Sequence, residues 1–174
     1  MDLLDLHAEG FDPVMSREER ALYHDVDRNR DAVREHVDRL RAATALFVCF
    51  PVWNYGFPAI LKGWFDRVFL PGVSFDIVDG GVRPALCHVN RLCIATTYGG
   101  DRLRTALAGD PPRRVAGRQL RWLVARGAAY DYLALYDMNR ADAARRAAFL
   151  DRVGERAGRG VGRSGGVART GGVR

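Results

Sequence analysis

One segment of the chain, residues 45–72, changes its hydrophobic pattern abruptly from that of a strand to that of a helix. Residues Ala45 to Phe50 are all apolar, without the alternation of a strand that has one face in water. Such a run is typical of a strand inside a parallel sheet whose two faces are covered by helices. Pro51 lacks the amide hydrogen that a further ladder bond needs, so we expect the strand to end there.

The residues that follow repeat with a helical period. From Pro58 onward, six large apolar side chains fall on one face of a helix: Ile60, Leu61, Trp64, Phe65, Val68 and Phe69. Proline is compatible with the first turn of a helix, and the sequence Leu70-Pro71-Gly72 is expected to end it. The segment therefore predicts a strand, a loop and a helix in succession.

The same alternation continues along the chain. Two further apolar runs, Arg91–Thr97 and Tyr130–Tyr136, are predicted to be buried strands, and helices are predicted near residues 28–42, 114–126 and 141–153. Strands and helices that alternate at this spacing predict a doubly wound α/β fold with a parallel sheet, because each strand–helix–strand crossover joins two parallel strands.

The less regular parts of the chain carry local signals. The apolar residues of Met1–Leu6 predict an additional strand. Ser16, followed three residues later by Glu19, predicts a capping box at the start of a short helix. Residues 73–84 are expected to form a loop with a turn at Asp79-Gly80-Gly81.

Length and charge bound the class of protein. A chain of 174 residues is long enough for one domain, which we place at residues 1–153. The formal net charge is +6, but residues 152–174 carry six arginines and one acidic residue, so the rest of the chain is close to neutral. A neutral body argues against a nucleic-acid partner. The glycine- and arginine-rich residues 154–174 are expected to form a disordered tail.

The cysteines and the hydropathy pattern indicate a cellular compartment. Cys49, Cys87 and Cys93 are odd in number and form no CxxC motif, which favours a reducing cytoplasm. No apolar run reaches the length of a membrane span, and the N-terminus lacks the regions of a secretory signal. We therefore expect a cytoplasmic protein without a membrane span.

Two predicted loops lie at the carboxyl ends of predicted parallel strands, where open α/β sheets bind their ligands. The first loop carries three aromatic side chains within five residues, Trp53, Tyr55 and Phe57, which a flat ligand would stabilise by stacking. The second loop, after Arg91–Thr97, carries small residues that let a ligand approach the backbone. A flat aromatic cofactor that stacks on the three rings is one interpretation. In the alternative, all three rings fold back onto the core.

Residues 51–72, PVWNYGFPAILKGWFDRVFLPG, resemble the strand–loop–helix signature of the flavodoxin-like NAD(P)H:quinone oxidoreductases. The resemblance extends more loosely from Met1 to about Arg152. It implies a flavodoxin-like doubly wound parallel sheet and a homodimer. It also implies an enzyme in which a flavin, FAD or FMN, takes hydride from NAD(P)H and passes it to a quinone-like acceptor.

The resemblance assigns roles to the two loops. The first loop would pack on the isoalloxazine ring of the flavin, and the second would form hydrogen bonds to the pyrimidine edge of that ring. The residues so assigned are Pro51, Val52, Trp53, Asn54 and Tyr55 in the first loop and Thr96, Thr97, Tyr98 and Gly99 in the second. Phe75 matches an aromatic position on the substrate side, often contributed by the partner subunit, although a core phenylalanine is the alternative.

No catalytic protein residue is assigned. Some members of the family use a tyrosine and a histidine after the glycine loop, whereas residues 101–104 here are Asp-Arg-Leu-Arg and no histidine occurs after His88. The four histidines also lack the spacing of a metal site. We expect the flavin to carry the hydride chemistry and the protein to position it.

The sequence departs from the family at its start. The family has a strand, a phosphate-binding loop and a helix before the segment that resembles Met1–Leu6. We therefore expect a sheet that is incomplete at the N-terminus, and we interpret Met1 as an internal methionine of a longer flavoprotein. A chain without the phosphate-binding loop would lose hydrogen bonds to the flavin phosphate. The loss of two or three such bonds, of about 1.5–3 kcal/mol each, would lower flavin affinity about a thousandfold. A non-catalytic, partner-binding subunit or a degenerate remnant of such an enzyme is the alternative.

Overall fold

The computed structural model describes residues 1–158, and a parallel sheet of three strands lies at its centre. These strands are β1 (Ala45–Pro51), β4 (Arg91–Thr97) and β5 (Ala129–Leu135), and they pair in the order β1-β4-β5. Between β1 and β4 the chain forms a separate antiparallel hairpin from β2 (Phe75–Val78) and β3 (Gly81–Pro84).

Helices surround this sheet. They are α1 (Arg17–Leu22), α2 (Arg34–Ala42), α3 (Ala59–Val68), α4 (Arg102–Leu107), α5 (Pro111–Arg114), α6 (Arg121–Leu123) and α7 (Ala143–Gly158). A π-helix, Val115–Leu120, joins α5 to α6, and short 3-10 turns occur at Asp31–Val33 and Met138–Arg140. Within residues 1–158, no helix combines the length and the apolar character that crossing a membrane requires.

The two faces of the sheet pack against different helices. Residues that pair across parallel strands share a face, and the register places Phe50 beside Thr96. On that face, Phe50 and Ile94 belong to a large apolar cluster with residues of α2, α3 and α6. On the opposite face, Leu135 of β5 packs with Phe149 of α7 in a second, smaller cluster. The larger cluster is the main core.

Three of the four predicted strands and the predicted capping box are confirmed. The three buried runs form β1, β4 and β5 within one residue of their predicted ends. The hydroxyl of Ser16 accepts a hydrogen bond from the Glu19 amide, and the Glu19 carboxylate accepts one from the Ser16 amide, at 3.1 and 2.8 Å. Helix α3 follows Pro58, as predicted, and ends at Val68.

Two predictions for irregular segments are wrong. Met1–Leu6 forms no strand: Arg39 of α2 pairs with the carboxylate of Asp2 and donates to the carbonyl oxygen of Leu3, and no strand within residues 1–158 pairs with this segment. Residues 73–84 form the β2–β3 hairpin instead of a loop. The predicted turn explains this hairpin, because Asp79 and Gly80 have φ angles of 52° and 74°, which a tight two-residue hairpin turn requires.

The helix predictions are correct in position but not in detail. The helix predicted near residues 28–42 begins as the 3-10 turn at residue 31, and the one predicted near 114–126 is divided between α5, the π-helix and α6. Helix α4 was not predicted. Helix α7 continues to Gly158, five residues beyond the predicted end of the domain. The remainder of the predicted tail, residues 159–174, lies outside the described residues.

The interior position predicted for β1 is wrong for the sheet of residues 1–158. β1 pairs with β4 alone, so its other edge has no strand beside it. Its residues alternate between exposed and more buried, with Phe47 and Cys49 exposed on one face and Phe50 buried on the other. An apolar run without alternation does not distinguish an edge strand from an interior one, because the neighbouring strands come from distant parts of the chain.

Candidate functional site

The carboxyl ends of β1 and β4 meet at one edge of the sheet. Pro51 pairs with Thr97 in the register, and the amide of Val52 donates a hydrogen bond of 2.8 Å to the carbonyl oxygen of Thr97. The loop after β1 and the loop after β4 therefore start from adjacent backbone positions. The sequence analysis predicted this meeting from the parallel topology.

The first loop is a tight turn, which we call the aromatic turn and define as Val52–Phe57. The amide and carbonyl groups of Trp53 and Gly56 bond to each other, at 3.2 and 2.8 Å. Asn54 and Tyr55, at the centre of the turn, have φ angles of 47° and 58°. Two consecutive residues with positive φ angles reverse the chain within four residues.

The rings of the aromatic turn point in different directions. The side chains of Trp53 and Tyr55 are exposed, at 58% and 45% of their full accessible surface. Phe57 instead packs between Phe50 and Phe65, with ring centroids 4.9 and 5.5 Å away. The alternative that the rings fold onto the core therefore applies to Phe57 alone, and two rings remain available to a ligand.

The second loop, Thr97–Gly100, is called the glycine rim below. The amides of Gly99 and Gly100 donate to no other described residue and are therefore unused hydrogen-bond donors; Gly99 is exposed and Gly100 is partly exposed. The side chains of Thr96 and Tyr98 are both 2% exposed and point into the protein. Of the residues predicted in this loop, Thr97 and Gly99 are thus at the surface, and Thr96 and Tyr98 reach it only through their backbones.

A third segment, which the sequence analysis missed, supports the glycine rim. It follows β5, and its backbone forms three hydrogen bonds with the rim: Tyr98 amide to Leu135 carbonyl, Met138 amide to Tyr98 carbonyl, and Asp137 amide to Gly100 carbonyl, at 2.8, 2.9 and 2.9 Å. A methyl group at Gly99 would lie 3.5 Å from Nδ2 of Asn139. The first two loops were predicted because open α/β sheets bind ligands at the carboxyl ends of their parallel strands. β5 is also a parallel strand, so the segment after it could have been predicted in the same way.

Beneath the rim lies a partly buried polar cluster, called the tyrosine cluster and formed by Tyr98, Asp110, Arg113, Tyr132 and Tyr136. The hydroxyl of Tyr98 lies 2.6 Å from a carboxylate oxygen of Asp110 and 2.5 Å from the hydroxyl of Tyr132. Arg113 donates to the Asp110 carboxylate at 3.0 Å and to the Tyr136 hydroxyl at 2.9 Å. The rings of Tyr98 and Tyr136 stack at 4.7 Å.

The surroundings raise the pKa values of Tyr98, Tyr132 and Arg113 in the tyrosine cluster. Burial, and then the hydrogen bond to Asp110, raise the pKa of Tyr98 far above its usual range. Burial is also the main reason that the pKa of Tyr132 is raised. Burial opposes the charge of Arg113, but its hydrogen bonds to Tyr136 and Asp110 raise the pKa of the guanidinium. Both phenols therefore stay neutral and act as hydrogen-bond donors at any physiological pH.

A cleft of about 570 Å³ opens beside the glycine rim, between the end of β5 and helix α7. Three arginines, Arg102, Arg145 and Arg152, line it together with Asp101 and Asp137. The Arg145 guanidinium donates to the Tyr136 carbonyl oxygen at 2.7 Å. The cations outnumber the carboxylates by one, so the cleft suits a phosphate-bearing ligand better than a cationic one.

Phe75 lies apart from these loops in the chain, at the start of β2. It is half-buried and packs against the main core, and its carbonyl accepts a hydrogen bond from the Gly72 amide at 2.8 Å. Within one chain, Phe75 therefore fits the alternative prediction, a core phenylalanine. Contact with a substrate in a partner subunit stays a prediction.

Comparison with known proteins shows the family of the chain. Residues 1–112 match the family described as having a flavodoxin-like fold. An Escherichia coli protein named as the uncharacterized NAD(P)H oxidoreductase YcaK is 35% identical over 100 residues, 57% of this chain and 48% of that protein. FMN-dependent NADH:quinone oxidoreductase 2 of Hahella chejuensis is 32% identical over 76 residues, 42% and 38% of the two chains. The alignments thus cover half or less of these relatives' length.

A solved structure shows the same architecture over most of the chain. The NAD(P)H:quinone oxidoreductase from Methanothermobacter marburgensis superposes with a TM-score of 0.72 and 26% identity, over 91% of this chain and 78% of that one. The predicted α/β class with a parallel sheet is therefore confirmed. With its carboxyl-end loops, its parallel sheet and the match over residues 1–112, the chain belongs to the flavodoxin-like fold family.

Proposed function

We propose that this protein is a flavin-dependent oxidoreductase that binds FMN between the aromatic turn and the glycine rim. When bound, the flavin supplies hydride transfer from NAD(P)H to a quinone-like acceptor. The choice of FMN over FAD is supported by relatives that are named as FMN-dependent enzymes. The protein's own part is to hold and orient the ring and to keep water from one of its faces.

One observation carries this proposal. The hydrogen bond from the Val52 amide to the Thr97 carbonyl brings exposed aromatic rings and unused backbone donors to the same edge. Trp53 and Tyr55 supply flat apolar surfaces, on which an isoalloxazine ring would stack. The unused amides of Gly99 and Gly100 would supply donors to the carbonyl and nitrogen acceptors of its pyrimidine edge. Pro51, Val52 and Asn54 shape the turn, and Thr97 joins it to the rim.

The residues present fit a cofactor that carries phosphate. The arginine-lined cleft begins at Asp101, the residue directly after the rim, so we place an anionic group attached to the ring against Arg102 and Arg145. Guanidinium groups bind phosphate through paired hydrogen bonds. A phosphate of the nicotinamide cofactor fits the same cleft. Titration with FMN alone and with the nicotinamide cofactor alone distinguishes the two ligands.

The unpaired edge of β1 supports a second part of the proposal. We infer that a further strand pairs with β1 in the longer protein, from a segment that precedes Met1. The support is the bare apolar face of Phe47 and Cys49 and the row of unpaired backbone groups on that edge. The same edge supports the alternative function, a non-catalytic subunit whose partner supplies the strand.

Flavin binding tests the proposal directly. The purified chain, and a version extended with its upstream coding sequence, are titrated with FMN and with FAD while flavin fluorescence is followed. We expect FMN binding, bleaching of the flavin absorbance by NADH or NADPH, and recovery on adding a benzoquinone. If neither version binds a flavin, the proposal is wrong and the non-catalytic alternative is favoured.

A tryptophan pair localises the site. Trp53→Ala removes one stacking surface, so we expect FMN to bind about two- to tenfold more weakly. Trp122→Ala is the matched control, because Trp122 is also exposed, at 47%, but lies beside Cys87 and Gly127, which precede β4 and β5 at the opposite edge of the sheet. Equal effects of the two substitutions would contradict the placement of the flavin.

The predicted homodimer is part of the proposal. The hairpin presents Ile77 opposite Val82 on one face, and both side chains are about half exposed. A second copy of the chain that covers this face would remove both from water. The molar mass by light scattering tests this, with Ile77→Lys expected to give monomers. The reducing cytoplasm is proposed as the compartment, since Cys49, Cys87 and Cys93 are all free.

A further inference from the structure

The tyrosine cluster has features that packing alone does not require. Tyr98 directs its hydroxyl into the protein, where a carboxylate and a second phenol meet it at 2.6 and 2.5 Å. Because a carboxylate accepts and cannot donate, Tyr98 uses its proton for Asp110, and Tyr132 donates to the Tyr98 oxygen. A buried polar group that lost these partners would cost more than the bond itself contributes.

The backbone at the centre of the cluster turns sharply. Asp110 has φ and ψ angles of 42° and 61°, a left-handed conformation that aspartate and asparagine adopt more readily than most L residues. It is fixed by the Arg113 ion pair and by a hydrogen bond from its amide to the Thr105 carbonyl. These contacts hold the Asp110 carboxylate where the Tyr98 hydroxyl reaches it.

We propose that Tyr98 is a positioning residue that holds the glycine rim in its binding shape by anchoring it to Asp110 and Tyr132. Its backbone already joins the rim to the segment after β5, through the bonds to Leu135 and Met138. The side chain adds a third anchor from below. The backbone that carries the unused amides of Gly99 and Gly100 is then fixed before any ligand arrives, so a ligand does not have to order it.

The effect on flavin binding rests on the proposed function, whereas the effect on the rim does not. Tyr98→Phe keeps the ring and its stacking on Tyr136 and removes the hydroxyl. We expect the rim to lose its fixed geometry and FMN to bind about two- to tenfold more weakly, the equivalent of one hydrogen bond.

The matched control is Tyr130→Phe. Tyr130 lies two residues before Tyr132 on the same face of β5, and its hydroxyl is buried without a hydrogen-bond partner among residues 1–158. The substitution makes the same chemical change without removing a bond. We expect FMN affinity within about twofold of the original protein. Tyr132→Phe removes one of the two bonds to Tyr98 and is expected to give an intermediate loss.

Amide hydrogen exchange on the ligand-free, full chain separates positioning from a general loss of stability. In Tyr98→Phe we expect the amides of residue 98, Asp137 and Met138, which bond across the rim, to exchange at least about tenfold faster. The amides of Leu92 and Ile94 in β4 should be unchanged. A purely structural role would accelerate both sets together.

The outcomes separate the two proposals. If the original protein binds FMN and Tyr98→Phe binds it equally well, the positioning role is wrong. If the original protein binds no flavin but the rim amides are selectively released, Tyr98 anchors the rim and the proposed flavin site is wrong. If the rim amides of Tyr98→Phe exchange as in the original protein, the anchor itself is refuted. Should Tyr98→Phe not fold, Tyr132→Phe provides the same comparison.

Discussion

Strands β1 and β4 lie side by side in the sheet and have similar apolar sequences, yet their surroundings differ. Cys93 and Ala95 of β4 are both 1% exposed, whereas Phe47 and Cys49 of β1, their direct neighbours on the same face, are open to water. β4 has a strand on each side, and β1 has one. Neighbours, and not the composition of the strand, therefore decide which apolar residues become core.

The loops that follow β1 and β4 at the carboxyl edge of the sheet also differ from each other. The loop after β4 continues into a partly buried cluster, and its inner side chain, Tyr98, has two hydrogen-bond partners. The loop after β1 turns back within four residues and exposes Trp53 and Tyr55. The loop after β4 is thus a backbone rim held by hydrogen bonds. The loop after β1 is an exposed aromatic surface, which a ligand, another strand or a second chain would bury.

The largest expected contrast is between the thiols of the two strands. In a Cys87→Ser background, Cys49 should react with a maleimide at least about a thousandfold faster than Cys93. Burial raises the pKa of both thiols, that of Cys93 to about 11, so the contrast comes mainly from access: Cys49 is exposed, whereas Cys93 is buried and becomes accessible only on unfolding. Peptide mapping after timed quenching gives both rates.

This experiment also tests the inferred partner strand of β1. In the version extended upstream, a strand paired with β1 should slow the reaction of Cys49 and leave that of Cys93 unchanged. Equal rates for the two thiols in the original chain would contradict the exposed face of β1.

The second contrast is in stability. Ile94→Ala should lower the free energy of unfolding by about 2–5 kcal/mol, since Ile94 is fully buried and its loss leaves a cavity. Phe47→Ala should cost less than about 1 kcal/mol, because 44% of the Phe47 surface is already in water. Urea denaturation measures both. A large loss for Phe47→Ala in the extended version alone would show that the upstream segment covers it.

Much of the fold follows from the sequence because it depends on local pattern. Apolar runs and the change of period at Pro58 located β1, β4 and α3, and parallel topology then required the loops after β1 and β4 to meet. The edge position of β1 could not be predicted in this way. It depends on which segments pair, and pairing is decided between residues far apart in the chain.

The orientation of the site residues was partly open to prediction. Side chains alternate along a strand, so Leu92, Ile94, Thr96 and Tyr98 share one direction, and the first two are plainly core residues. That parity directs Thr96 and Tyr98 inward. The partners of Tyr98 were not predictable, because Asp110 and Tyr132 reach it only through the tertiary fold and the unusual backbone of Asp110.

The third contrast concerns the face of β1 that packs with α3. Helix α3 is tied to α1 by a nearly buried ion pair in which Arg67 lies 2.7 Å from the carboxylate of Glu19. Burial opposes the charge of Glu19, but the Ser16 amide and Arg67 outweigh it and lower the pKa of this carboxyl. A lowered folded-state pKa stabilises the protein above the unfolded value near 4.5, and that stability is lost as the pH falls.

Glu19→Gln should therefore cost about 1–3 kcal/mol at pH 7, and the difference from the original protein should shrink progressively below about pH 4.5. Urea unfolding at pH 7, 5 and 3 measures this. Asp31→Asn is the control, because its pair with Arg34 is exposed and contributes little. A cost for Glu19→Gln that did not change with pH would mean that the glutamate acts through packing and not through its charge. The cover over β1 would then not depend on an ion pair.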